Sequence, residues 1–305
     1  MLALMLFLGF IVPRMMPGNP FTASVDFTLP PDLQTRFAEY YAPGQSIWFQ
    51  FWLYLKHLVR FDLGYSFYYN LPVIELIGGR MGWTLFLSLT SLTLATFIAV
   101  PSGAWAAMHS RRGWGQLAVL FNVIVQATPV FLIALFLQLF IAYRAHLLPP
   151  QGAYTPGITK FSSAFYPDAL KHAILPVSAV VISLVPSIFI LTRNVVMRIK
   201  NEKFVELARL MNVSSRTLNR GYILRNSLPE IIGKLNINFV YAVAGTLFVE
   251  IIFSYPGLGS LTKIAVDARD YPLIQGIFLF IGLYGITVNM IFEFIQRRLN
   301  PWQVK

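Results

Sequence analysis

The run from Trp83 to Ala107, WTLFLSLTSLTLATFIAVPSGAWAA, contains no charged residue. As a helix it rises about 1.5 Å per residue, enough to cross a hydrocarbon core of about 30 Å, and it predicts a membrane helix. The same test selects Leu117 to Tyr143, Ala173 to Thr192, Leu235 to Phe253 and Leu273 to Ile295, where the only charges are Glu250 and Glu293, each near a block's end. Pro101, Pro129, Pro176 and Pro186 fall inside these blocks. A helical bundle tolerates them because neighbouring groups satisfy the freed carbonyls. Of 305 residues, 56% are hydrophobic and 12% charged, against about a quarter charged in an average soluble domain. That balance argues against a soluble globular enzyme and for an all-α multi-pass membrane protein.

The N-terminal block is shorter. Met1 to Val12 spans only about 18 Å as a helix before Pro13 and Arg14 follow. It is expected to be part of a first span whose beginning precedes Met1, with a short tilted anchor as the alternative; it lacks the basic start and small-residue site of a signal peptide. Residues 1–16 are therefore set apart from an extracytoplasmic segment, 17–82, and a transmembrane core, 83–305. The segment 17–82 carries Phe37, Tyr40, Tyr41, Trp48, Phe49, Trp52, Tyr54, Phe67, Tyr68 and Tyr69, and Gln45 to Leu58 has helical apolar spacing. Such aromatic density fits a folded region lying on a membrane surface.

Charge fixes the expected orientation. The net charge is +11, and the basic excess sits in three places: Arg111 and Arg112, the gap 193–229 with Arg193, Arg198, Lys200, Lys203, Arg209, Arg216, Arg220 and Arg225, and the C-terminal Arg297, Arg298 and Lys305. These should be cytoplasmic, whereas 17–82 and 254–272 are charge-balanced and should lie outside. Topology then accounts for the excess, and no nucleic-acid partner is needed. With no cysteine in the chain, disulfide frameworks, thiolate zinc sites and cysteine nucleophiles are ruled out.

The gap 193–229 has internal structure. Asn201 is a plausible N-cap, Phe204, Leu207, Ala208 and Met211 recur at helical spacing, and Asn212 is suited to a left-handed helix end. Ser214 can cap a second helix carrying Leu218, Tyr222, Leu224 and Leu228 as far as Pro229. A short helix, a turn and a second helix are expected between two spans.

Here the chain resembles a known family. Glu206-Leu207-Ala208, three residues, then Asn212 is similar to the Glu-Ala-Ala-x3-Gly loop of ABC importer permeases, with Leu207 at an Ala position and Asn212 at the Gly. Met16-Pro17-Gly18-Asn19-Pro20, Asp62-Leu63-Gly64-Tyr65-Ser66, Leu224-Arg225-Asn226-Ser227-Leu228-Pro229, Pro256-Gly257-Leu258-Gly259 and Arg269-Asp270-Tyr271-Pro272 narrow the resemblance to the first-subunit branch of the dipeptide/oligopeptide permeases. The resemblance implies about six spans in the type I importer permease fold. It further implies a homologous second permease, two cytoplasmic ATPase subunits that hold ATP and Mg, and an extracytoplasmic solute-binding protein. Dipeptides, oligopeptides, nickel and oligosaccharides are solutes associated with the family.

The residues themselves agree with that division of labour. The chain has no G-x-x-x-x-G-K-[ST] loop, so nucleotide phosphates would have to be cradled by another chain. Phe204, Glu206, Leu207, Ala208, Arg209, Met211 and Asn212 are the candidate ATPase-coupling residues, with apolar groups entering a partner groove and basic neighbours steering; a helix resting on anionic lipid is the alternative. Asn122, Gln126, Asn236 and Asn238 are candidate path-lining residues, or interhelical hydrogen bonders. Glu250 and Glu293 are expected to snorkel or form local ion pairs. Pro256 to Gly259 predicts a tight turn, and Asp267, Arg269 and Asp270 beyond it are candidate contacts for a binding protein, or merely solvated. No catalytic constellation and no metal-ligand spacing is found. An ion-gradient-driven carrier or channel is the competing function, although no internal repeat supports it.

Overall fold

The structure, a computed structural model, describes residues 2–15, 42, 44–110, 113–159 and 161–299. The Met16 to Pro20 motif and Phe37, Tyr40, Tyr41, Arg111, Arg112 and Lys305 lie outside the described residues. The described chain is helical: α1 Leu2–Arg14, α2 Ile47–Val59, α3 Val73–Met108, α4 Gly113–Gln126, α5 Val130–Leu137 running on as a widened π turn Gln138–Arg144, α6 Phe165–Lys200, α7 Lys203–Leu210, α8 Ser215–Ile252, α9 Leu258–Asp267 and α10 Tyr271–Leu299. Two compact units result: Met1–Trp83 with Pro256–Ile286, and Thr84–Tyr255 with Thr287–Lys305.

Helices α3, α6, α8 and α10 are each long and apolar enough to span a bilayer, and α4 with α5 makes a fifth span if the bent pair is counted as one. Each of α3 and α6 has 36 residues, about 54 Å of helix, so both overrun the hydrocarbon and carry charges at their ends. The expected straight span Leu117 to Tyr143 is corrected: it bends by 93° between α4 and α5. Pro129 is the cause. It offers no N–H, disfavours helical geometry at Thr128, and itself sits at ψ 140° as the N-cap of α5. Pro101, Pro176 and Pro186 stay inside α3 and α6.

In the unit containing the N-terminus, α1 and α2 pack through rings. Phe10 is fully buried, with Phe51 at 5.1 Å and Tyr54 at 5.7 Å between centroids. Arg14 lies over the Phe10 ring and its Nε donates to Gln50 Oε1 at 3.1 Å. The expected helix over Gln45 to Leu58 is observed as α2, capped by Ser46 Oγ accepting from the Phe49 N–H at 3.3 Å.

In the other unit α6 runs along α8, with α4 and α5 against α6. Val177, Val180, Leu184, Ile188 and Val195 form the buried stripe of α6, and Ile231, Leu235, Asn238, Ala242, Thr246 and Val249 that of α8, both at the three-and-four spacing of a helix face. Against lipid tails, burying such side chains gains little by transfer, so close packing must hold the helices. Ala95, Ala99, Gly103 and Ala107 supply it on α3, one small residue every four. A Cβ at Gly103 would stand 2.6 Å from the Phe189 carbonyl oxygen and 3.0 Å from Thr192 Cβ on α6.

That contact generates a test. Gly103→Val should destabilise the detergent-solubilised protein by about 1–3 kcal/mol through overpacking. Gly78→Ala, where a Cβ meets nothing within 4 Å, should be neutral or stabilising by up to about 1 kcal/mol. Thermal melting of the two variants measures both.

Candidate functional site

Helix α7 is built from eight residues, KFVELARL. Val205 and Ala208 are buried in a cluster with Ala104 and Ala107 of α3, Val196 of α6 and Leu218 and Ile223 of α8. Phe204, Leu207, Leu210 and Met211 stand outside it, 41%, 59%, 76% and 71% exposed. The short helix is thus apolar on two faces: one plugs the ends of three long helices and the other is open, with Glu206 and Arg209 exposed beside it. Ala208 turns inward, away from any partner, correcting its expected place in the outer face. Val205 and Leu210 went unnoticed in the sequence because helical spacing alone does not separate an inward from an outward apolar face.

Asn212 adopts φ 56°. Its N–H donates to the Arg209 carbonyl at 3.0 Å and the Val213 N–H to the Ala208 carbonyl at 3.1 Å, the paired bonds of a Schellman helix end. Val213 then packs against the same cluster. Asn201 is not the N-cap of α7, as expected, but the C-cap of α6; Glu202 takes the N-cap position through its extended backbone, without a side-chain bond. Ser214 does cap the following helix, accepting from Thr217 N–H at 3.3 Å.

That helix does not stop at Pro229. It continues as α8, with a π turn over Leu218–Leu224 that shifts the inward face by one position, so that Ile223 is buried and Tyr222 is exposed. Asn226 Nδ2 and Ser227 Oγ donate to the Tyr222 and Ile223 carbonyls at 2.6 and 2.8 Å, satisfying acceptors beside the widened turn. Glu230 pairs with Arg198 of α6 and, at 2.9 Å, with Lys234, which ties α6 to α8 close to α7.

The four polar residues picked from the apolar blocks part company. Gln126 and Asn238 line one cleft of about 440 Å³ beside the α4–α5 break. Asn122 lines another, with its Nδ2 on the Ala118 carbonyl at 2.8 Å, and Asn236 bonds Asn289 of α10. Ser183, Ser187 and Tyr241 share the first cleft and had no signal in the sequence. Glu250 is fully buried, so it does not snorkel as expected, whereas Glu293 forms a local pair with Arg297 at 2.5 Å.

Residues 99–305, more than half the chain, match the family model described as binding-protein-dependent transport system inner membrane component. The chain belongs to this family of ABC importer permeases. It is 26% identical over 294 residues to the glutathione transport system permease protein GsiC of Shigella flexneri, covering 96% of this chain and 92% of the relative. A probable peptide ABC transporter permease protein, y4tP of Sinorhizobium fredii, is also 26% identical, over 96% of this chain and 91% of the relative. In fold it matches an inward-facing MetNI methionine ABC transporter with a TM-score of 0.60, 13% identity, 74% of this chain and 96% of that chain. The permease is accordingly a multi-pass inner-membrane protein of the peptide family.

In this permease the segment around Asp267, Arg269 and Asp270 is divided. Asp267 is 62% exposed and paired with Lys263 at 2.6 Å. Arg269 ends α9 at φ 52°, with the Asp270 N–H on the Ala265 carbonyl at 2.8 Å. Asp270 is fully buried and so presents nothing to an arriving protein, contrary to its expected role. One oxygen caps α10, accepting from the Leu273 N–H at 3.2 Å; the other takes Ser66 Oγ and the Tyr68 N–H, the latter at 3.1 Å. The Asp62 to Ser66 motif is thereby explained. Asp62 Oδ1 accepts from Gly64 N–H, Gly64 sits at φ 75°, and Tyr65 bridges Pro72 to close a loop whose Ser66 reaches the carboxylate. The expected turn at Pro256 to Gly259 is the N-terminus of α9, with Gly257 as its N-cap.

Burial pushes the Asp270 carboxyl above the usual carboxylate range, opposed by its bonds from Ser66 and from the Tyr68, Leu273 and Phe67 N–H groups. A raised folded value means that the folded state holds its proton more tightly than the unfolded state does. The region should therefore lose stability as pH rises from the ordinary carboxylate range through the raised value. Asp270→Asn should remove that slope, and Asp270→Ala should loosen residues 62–72 at all pH values, costing about 2–4 kcal/mol in cap and hydrogen bonds. Protease cleavage within 62–72, followed against pH, measures both.

Proposed function

We propose that this permease is one membrane-spanning half of an ATP-driven importer for peptides or a similar solute, and that α7 receives the motion of a cytoplasmic ATPase. One observation carries this: α7 is anchored by Val205 and Ala208 to the ends of α3, α6 and α8, while Phe204, Leu207, Leu210 and Met211 are left open on the same short helix. An open apolar face flanked by basic residues suits a protein groove. The shared cluster makes the helix a rigid extension of three helices, so a displacement applied to it moves them together. Placing α7 on the cytoplasmic side follows from the basic residues of 193–229 and the positive-inside bias.

The remaining parts belong to other chains. ATP and Mg are held by two ATPase subunits, a homologous permease completes the path, and a binding protein delivers solute from outside to the surface that includes Asp267 and Arg269. The names of the relatives, a glutathione permease and a probable peptide permease, support the solute class. The C-terminus lies inside, with Arg297 and Arg298 at the last turn of α10.

Asn212→Val places a β-branched side chain at φ 56°, a conformation such residues avoid. It should cut solute-stimulated ATP hydrolysis and uptake by at least about tenfold if the helix end loses about 1.4 kcal/mol or more. Asn212→Gly should retain both. Hydrolysis and uptake measured in the same proteoliposomes decide the matter; unchanged coupling in Asn212→Val would overturn the role of α7.

A further inference from the structure

The cleft at the α4–α5 break is, we propose, a solute subsite that holds a peptide by its backbone amides and is indifferent to its charge. This deepens the importer reading and rests on it. The cleft measures about 440 Å³, within the roughly 300–1,000 Å³ of small-molecule sites. Among the described residues none of its lining side chains carries a formal charge; the polar ones are the amides of Gln126 and Asn238, the hydroxyls of Thr128, Ser183 and Ser187, and the Tyr241 phenol.

Two features aim hydrogen-bonding capacity into this space. Asn238 is only 4% exposed, and Ser187 Oγ donates to its Oδ1 at 2.6 Å, which leaves the Nδ2 donors without a partner among the described residues. On a side chain that lines the cleft, donors so placed are open to an acceptor within it. In addition, Pro129 starts α5 with no side-chain cap; the Leu132 and Ile133 N–H groups bond its carbonyl, which leaves the N–H groups of Val130, a lining residue, and Phe131 available. A peptide group supplies both an acceptor for Asn238 and a donor for Gln126, the two kinds of hydrogen bond that amide side chains make. The lining has no carboxylate, imidazole or thiol for a metal ion and no cation to retain a peptide's carboxylates. Neutral recognition also suits passage, since a subsite in a conduit must bind weakly enough to release.

The absence of cysteine makes the test direct. Gly245 lines the cleft and a Cβ there meets nothing within 4 Å. Gly245→Cys, in the complex purified with its co-assembling subunits and placed in nanodiscs, should react with a water-soluble cationic thiol reagent. Phe136→Cys, at a position 57% exposed on α5 outside the cleft, should react only with a lipid-soluble maleimide. Ala-Ala-Ala at a concentration several times its dissociation constant should slow the Gly245→Cys reaction about fivefold, maltotriose should not, and adding Asn238→Leu should abolish the protection. Reaction without protection by the tripeptide, or equal protection by maltotriose, would overturn the peptide subsite. Reaction with the maleimide alone would overturn it too, showing a cleft closed to water. Loss of ATPase subunits from the purified complex would instead sink the importer reading beneath it.

Discussion

The small cluster that joins Val205 and Ala208 to Ala104, Ala107, Val196, Leu218 and Ile223 is the constraint on which the rest depends. Within a bilayer, apolar burial does little to pull helices together because the lipid is equally apolar. Beyond the membrane blocks, where α7 lies among charged residues, water drives it at full strength. The ends of α3, α6 and α8 are therefore gathered by the hydrophobic effect at the place where their spanning portions must rely on close contact. A helix held in this way has no independent position. Whatever moves α7 moves the ends of three long helices.

How the helices end matters as much as how they pack. Asn212 at φ 56°, Ser254 at φ 48°, Arg269 at φ 52° and Phe61 at φ 57° each stand just past a helix. In each case the next N–H reaches back five residues, to the Ala208, Glu250, Ala265 and His57 carbonyls. Only Asn212 announced itself in the sequence, because only asparagine among the four tolerates that conformation readily. Phe61 and Arg269 carry no local signal. Their geometry is imposed by the adjoining chain, the Asp62 to Pro72 loop in one case and the Asp270 cap in the other.

The same division separates the legible from the hidden. Blocks with at most one charge revealed four unbroken spans, since membrane length and polarity act on every residue of a block. The fifth needed the effect of Pro129 to be weighed against its neighbours, and the bundle did not rescue it. At α7 the periodicity was visible, but the inward choice of Ala208 and the outward one of Leu207 depend on packing against α3, about a hundred positions earlier in the chain, as well as against the adjoining α6 and α8. Asp270 lay in a charged segment that looked solvated, yet its partner Ser66 is separated by 204 positions; such pairings leave no trace in spacing. Asn238 stood out as polar in an apolar block, whereas Ser183, Ser187 and Tyr241 are common enough in membrane helices to pass unnoticed.

The claim that α7 faces the cytoplasm and is covered there by an ATPase is tested most directly by Leu207→Cys, at a position 59% exposed in a chain with no other thiol. Its reaction with a membrane-impermeant thiol reagent would be followed in inside-out and right-side-out vesicles, with and without the ATPase subunits. The account predicts reaction from the inner side alone, suppressed when the ATPases are present and replaced by a cross-link to them with a short bifunctional reagent. Reaction from the outer side, or a rate indifferent to the ATPases, would contradict it.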